Sequence, residues 1–177
     1  MASELRVDKI VPTTGVPTGG GGGIVQVQYT NRTSVFAQDL ATNTETGEVM
    51  QVNITPKFST SKIFLMVSCN LGFANDGNVG IILTKGGSAI TGATGDASGS
   101  KSRVSAVGHT DATARDFNVQ CHYLDTAGST SALTYGVKLR HAENGTTWTY
   151  LNRNHSYSDS YHTLLPMSSI TAMEFSA

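Results

Sequence analysis

The stretch FNVQCHYL (Phe117–Leu124) decides the fold class, because Phe117, Val119, Cys121 and Tyr123 alternate with Asn118, Gln120 and His122. A period of two sends successive side chains to opposite faces of a pleated strand, so one face buries and the other meets solvent or a neighbouring subunit. LTYGVKLR (Leu133–Arg140) repeats the pattern, with Leu133, Tyr135, Val137 and Leu139 set against Thr134, Gly136 and Lys138. Outward from these two, strand-like runs occupy Ile24–Tyr29, Ser34–Gln38, Val49–Ile54, Lys62–Cys69, Val79–Thr84, Ser102–Val107, Thr147–Leu151 and Ser169–Phe175. About ten short strands at turn-separated spacing predict an all-β chain folded as an antiparallel sandwich or barrel. The Lys62–Cys69 run is nearly continuous in apolar residues from Ile63 to Val67 and reads as a central strand buried on both faces. Asn144-Gly145 reads as a two-residue hairpin turn, and Lys85-Gly86-Gly87-Ser88 and Gly128-Ser129 read as further turns. No window carries apolar residues at helical spacing with charges between them, so almost no helix is expected.

The chain has 177 residues, of which 38% are hydrophobic and 14% charged, a composition for one water-soluble domain rather than a membrane or disordered chain. Twelve Lys and Arg stand against thirteen Asp and Glu, a net charge of -1. Such a balance does not concentrate a polyanion, so nucleic acid is not an expected partner. No apolar stretch approaches the roughly 20 residues of a membrane span, and MASELRVDKIVP lacks the basic and apolar regions of a secretion signal. Membrane insertion is therefore not expected, and the glycosylation-type matches at Asn31, Asn53, Asn144 and Asn154 read as chance in a Thr-rich chain. Cys69 and Cys121 lie in apolar alternating runs without a metal-ligand spacing and read as buried free thiols in preference to a disulfide.

Residues 1–23 read differently from the remainder. Leu5, Val7, Ile10 and Val11 form a short apolar pattern, followed by Pro12, Gly15, Pro17 and the unbroken run Gly19–Gly23. Five glycines bring no side chain to bury and maximal backbone freedom. The expected organisation is an attachment arm and linker over 1–23 and a β head over 24–177.

The sequence carries no enzyme signature. His109, His122, His141, His155 and His162 do not sit at metal-ligand spacing, and solvent-facing positions are expected for His122 and His141 beside the strands. Asn75-Asp76-Gly77-Asn78 has calcium-loop chemistry but no Glu where an EF-hand needs one, and an Asx turn explains it. No serine sits in a G-x-S-x-G turn, and the glycine run lacks the Lys-Ser/Thr ending of a phosphate loop. No cofactor or metal is implied. Recognition chemistry is present instead. Trp148, Tyr150, Asn152, Arg153, Asn154, His155, Tyr157, Asp159, Tyr161 and His162 interleave aromatic rings with planar hydrogen-bonding groups, a mixture suited to stacking on a sugar face or anchoring a protein. Trp148 and Tyr150 alternate with Thr147 and Thr149, so a core or subunit-interface place accounts for them as well. In the loop beyond, Asn152, Arg153, Asn154, His155, Tyr157, Tyr161 and His162 are the candidate receptor contacts.

The order of several short motifs extends over nearly the whole chain. They are Ser3, Leu5, Val7, Asp8 and Ile10 in an S-x-L-x-V-D-x-I opening; Ile24–Val27 (I-V-Q-V); Ile54–Pro56 with Ser59–Ile63; Tyr150–Arg153 (Y-L-N-R); and the closing Ser168–Glu174 (S-S-I-T-x-M-E). In this order the chain resembles tail-fibre-like virion proteins of tailed bacteriophages, including those of marine cyanobacteria. The resemblance implies a jelly-roll or similar sandwich head, assembled as a homotrimer. It further implies a place in the virion, assembled in the host cytoplasm, with tethering to other virion proteins through Leu5, Val7, Asp8, Ile10 and Val11. It implies neither an enzyme nor a cofactor. The head would meet a host surface glycan or protein; a capsid decoration or appendage protein, or a carbohydrate-binding module, is the alternative. No internal repeat of a fibre shaft is visible.

Overall fold

A computed structural model describes residues 23–74, 76–110, 116–161 and 163–176. The expected attachment residues Leu5, Val7, Asp8, Ile10 and Val11 lie outside the described residues. The described chain is all-β: β1 (Ile24–Arg32), β2 (Phe36–Leu40), β3 (Met50–Ile54), β4 (Lys62–Phe73), β5 (Gly77–Lys85), β6 (Ser88–Ala89), β7 (Ala106–Thr110), β8 (Asp116–Thr126), β9 (Leu133–His141), β10 (Thr147–Leu151) and β11 (Ser168–Phe175), with one 3-10 turn at Thr91–Ala93.

Two antiparallel sheets result. In the first, β4 pairs along one edge with β8 and along the other with β11 and then β10; β1 flanks β11 and β2 flanks β10. In the second, β9 lies between β3 and β5, and β5 also pairs with β7 and the short β6. Both sheets turn their alternate apolar residues to a single core, an arrangement compatible with a β-sandwich. Ile63, Leu65, Val67, Cys69 and Leu71 of β4 meet Ile81, Leu83, Tyr135, Val137 and Leu139 of β5 and β9 there. At roughly 1.5–3 kcal/mol for each large apolar side chain fully buried, this core is the main source of stability.

Polar clips join the layers. Tyr135, wholly buried on β9, donates its hydroxyl to Asp125 Oδ2 on β8 at 2.7 Å. Lys85 of β5 donates to the same oxygen at 2.7 Å and reaches the carbonyls of Thr126 and Ala127. Burial, then the Asp125 carboxylate, push the Tyr135 hydroxyl above its ordinary titration range. In the same register row, on the other side of β4, Glu174 accepts from Gln26 Nε2 at 2.6 Å and from the backbone N–H of Lys57 at 2.7 Å, and Gln26 also donates to Thr55 O at 2.7 Å. Three of the quoted motifs, I-V-Q-V, I-T-P and the closing M-E, therefore meet in one hydrogen-bonded cluster.

Three expectations are corrected. β4 is buried on one face only: Ile63, Leu65 and Val67 are inside, while Phe64 is half-buried and Met66 is 38% exposed. Asn144-Gly145 does not close a hairpin, because β9 and β10 belong to different sheets and the turn carries the chain across. Only Gly145 of the pair has positive φ, at 85°, whereas the tight hairpin turn needs it at both positions. Gly86 and Gly87, at 58° and 79°, meet that requirement and close β5 on β6. His141 is not solvent-facing: it is wholly buried, with Nε2 2.8 Å from Leu40 O and its ring 5.6 Å from that of Phe73.

Candidate functional site

The site begins where β10 leaves the first sheet. Thr147 and Thr149 take the inward phase of this strand, so Trp148 and Tyr150 point outward. Trp148 is 45% exposed and stacks on Tyr150, with ring centroids 6.3 Å apart and planes at 7°. Tyr150 is buried by the loop that follows. Its hydroxyl lies 2.6 Å from His155 Nδ1. Burial raises its titration above the ordinary range and Asp39 adds to this, while the Arg153 charge partly offsets both.

Arg153 organises the loop. Its guanidinium lies 4.5 Å from the Tyr150 ring centroid and 4.4 Å from that of Tyr157, a cation held between two π faces. The same side chain donates to Asn154 O at 2.9 Å and His155 O at 3.3 Å. Trp148, Tyr150, Arg153 and Tyr157 thus form a continuous stack from the rigid strand to the loop. The loop crosses closely over β4 at Gly72, where any Cβ would strike the Arg153 carbonyl and come within 2.9 Å of Asn154 Cα. That approach is what requires glycine.

Asn152, expected to contact a receptor, is wholly buried with φ 61°. Its Nδ2 donates to Arg32 O at 2.8 Å and Ser34 O at 3.2 Å, and its Oδ1 accepts from Ser168 Oγ at 2.6 Å. It fixes the start of the loop and offers nothing to the surface. Arg153 and Asn154 are half-buried, whereas His155, Tyr157 and Tyr161 are exposed, Tyr161 at 88%. His162 lies outside the described residues. The structure brings Arg153, His155 and Tyr157 together with Tyr150, and Tyr161 stands further along the same loop.

Leu164, Leu165 and Met167 extend this surface and were missed by the sequence reading, although they are 78%, 58% and 52% exposed. The signal was present: two leucines and a methionine around Pro166 in a segment without strand alternation. Tyr157, Ser158, Asp159, Ser160, Thr163 and Leu165 line a small concavity of about 220 Å³. A larger groove of about 660 Å³ lies over the outer face of the second sheet, lined by residues that include Asn43, Lys101, Val104, Val107, Arg140 and Asn144. Among the described residues no group of three or more His, Cys, Asp or Glu side chains is placed to hold a metal ion. Cys69 and Cys121 are free thiols. No family model matches the chain, and no curated protein matches it.

Proposed function

We propose that the chain is a non-enzymatic, tail-fibre-like virion protein of a tailed bacteriophage, held on the particle through residues 1–23 and presenting a homotrimeric β head to the host surface. The observation that carries the recognition role is the exposed loop surface of Tyr157, Tyr161, Leu164 and Leu165, standing on a rigid stack of Trp148, Tyr150 and Arg153. Contact residues carried on loops but positioned by a β scaffold are the usual arrangement for recognition. The head is further read as a jelly roll. In support, β1-β11-β4-β8 neighbour one another in one sheet and β3-β9-β5-β7 in the other, the strand order that two wound Greek keys produce.

The test is adsorption. Tyr157→Ala with Tyr161→Ala should reduce attachment of particles to host cells at least about tenfold, while the free energy of unfolding falls by no more than about 1–2 kcal/mol, the loss of one ring from the Arg153 stack. Unchanged attachment removes the loop from recognition. Deleting residues 2–18 should leave a folded head that no longer enters particles, and normal incorporation would refute the tether.

A second reading, a carbohydrate-binding module, is favoured by Trp148, whose exposed ring lies opposite Asp39 of β2 in the strand register. Ring stacking with a neighbouring acceptor suits a sugar. A glycan array with Trp148→Ala as control separates this reading from contact with a host protein.

A further inference from the structure

We infer that the outer face of the sheet β1-β11-β4-β8 is the surface through which one copy of this chain associates with a second copy. The inference deepens the oligomeric part of the proposed function and rests on it. The first observation is phase. β1 turns Val27 and Tyr29 outward, 51% and 54% exposed, while Gln26 and Gln28 take the phase shared with buried Glu174 and Ala172 of β11. A strand whose apolar phase faces away from its own core adds to an exposed apolar patch, the mark of a contact surface.

The cross-strand register then assembles the outward residues into rows. Ile24 lies opposite Phe175; Val27, Met173, Phe64 and Leu124 form the next row; Tyr29, Thr171, Met66 and His122 the next. Phe64 and His122 stack with centroids 5.9 Å apart. The apolar run of β4 has the composition of a strand buried on both faces, yet a single chain buries one of them. A second copy supplies the missing half.

Charge points to the same occupant. Lys62 is the charged residue of these rows, and its amine is engaged by Thr126 Oγ1 at 2.7 Å. The next row, Asn31, Ser169, Ser68 and Gln120, is polar and uncharged. The second sheet, in contrast, carries Glu45, Lys138 and Arg140 in ion pairs. Close to the axis of a ring of copies each residue approaches copies of itself, so like charges would repel there, and a charge-poor face rich in Met, Phe and Tyr suits contact between copies. Four strands about 4.8 Å apart and four rows about 6.8 Å apart give roughly 500 Å² in plan before side-chain relief, most of the about 800 Å² per partner of a standard interface.

The experiment measures mass in solution by light scattering on the full chain, with methionine oxidation as an independent probe. The wild type should be an oligomer, and Val27→Glu with Met66→Glu should weaken association at least about 100-fold with unchanged circular dichroism. Val107→Glu, on the second sheet, should leave the oligomer intact. In the wild type, Met66 and Met173 should oxidise several-fold more slowly than Met167, a comparison that does not depend on any variant folding. A persisting oligomer in the double variant, or Met66 and Met173 as reactive as Met167, overturns the face while the oligomeric reading stands. A monomeric wild type overturns both. Protection that disappears on deleting residues 2–18 from a monomer assigns the face to the chain's own first residues, and the inference fails.

Discussion

At Asn152 the backbone enters the left-handed region, φ 61°, which asparagine reaches more readily than most residues. Replacing Asn152 with Ala removes the donations to Arg32 O and Ser34 O, takes away the acceptor of the Ser168 hydroxyl and strains the turn. The expected loss is about 2–4 kcal/mol, read from urea midpoints. Asn152→Gly keeps the backbone and should cost less than the alanine variant; equal and negligible losses would show the bonds to be unimportant. Arg153→Lys retains the charge but not the planar group between two rings. It should cost about 1 kcal/mol and accelerate amide exchange in the loop. From sequence, Asn152 and Arg153 looked alike, as planar polar groups beside aromatics. Where strand alternation ends, residue type no longer tells which side chain points inward, and the structure separates one as an internal clamp from the other as the centre of the stack.

Strand identity was legible because a period of two survives wherever one face is buried, as in β8 and β9, whose inward residues are those expected. The direction of the phase was not legible in β1 and β10. There Gln and Thr take the inner positions while Val27, Tyr29 and Trp148 face out, and alternation alone is symmetric between the two choices. β11 carries the consequence most open to measurement. Burial opposes ionisation of Glu174, but hydrogen bonds from Gln26 and from the backbone N–H groups of Lys57 and Phe58 outweigh it and hold the carboxyl below its ordinary value of 4.5. A depressed folded-state value means a stabilising contribution that is complete above about 4.5 and is lost as pH falls through the lower folded value. The melting temperature should therefore drop on acidification from about pH 5 towards pH 3, and Glu174→Gln should be less stable at neutral pH yet flatter over that window. Equal slopes for the two proteins would remove Glu174 as the acid-sensitive clip between β11 and the Thr55–Phe58 turn. Tyr135→Phe, which leaves Asp125 one donor short, should cost about 1–2 kcal/mol.

For the molecule as a whole, the class was readable and the wiring was not. Turn chemistry marks where a chain reverses without naming the sheet it enters next, which is why Asn144-Gly145 passed for a hairpin while it bridges the layers. What makes the two layers one unit is the shared core, and the cysteines sample it from neighbouring strands: Cys69 on β4 and Cys121 on β8 both face inward. Burial, then the nearby Cys121 thiol, push Cys69 up to about 12, and burial pushes Cys121 up to about 11. The nucleophilic thiolate is therefore scarce in the folded chain at neutral pH, and alkylation must wait for opening. If the sheets unfold together, both cysteines should become reactive across a urea gradient at one midpoint, coincident with the loss of β circular dichroism. Reaction of Cys121 at lower urea than Cys69 would mean that β8, paired to β4 alone within its sheet, peels away first. The Tyr135–Asp125–Lys85 clip, which ties β8 to β9 and β5, opposes that, so Tyr135→Phe should separate the two midpoints if any single substitution does.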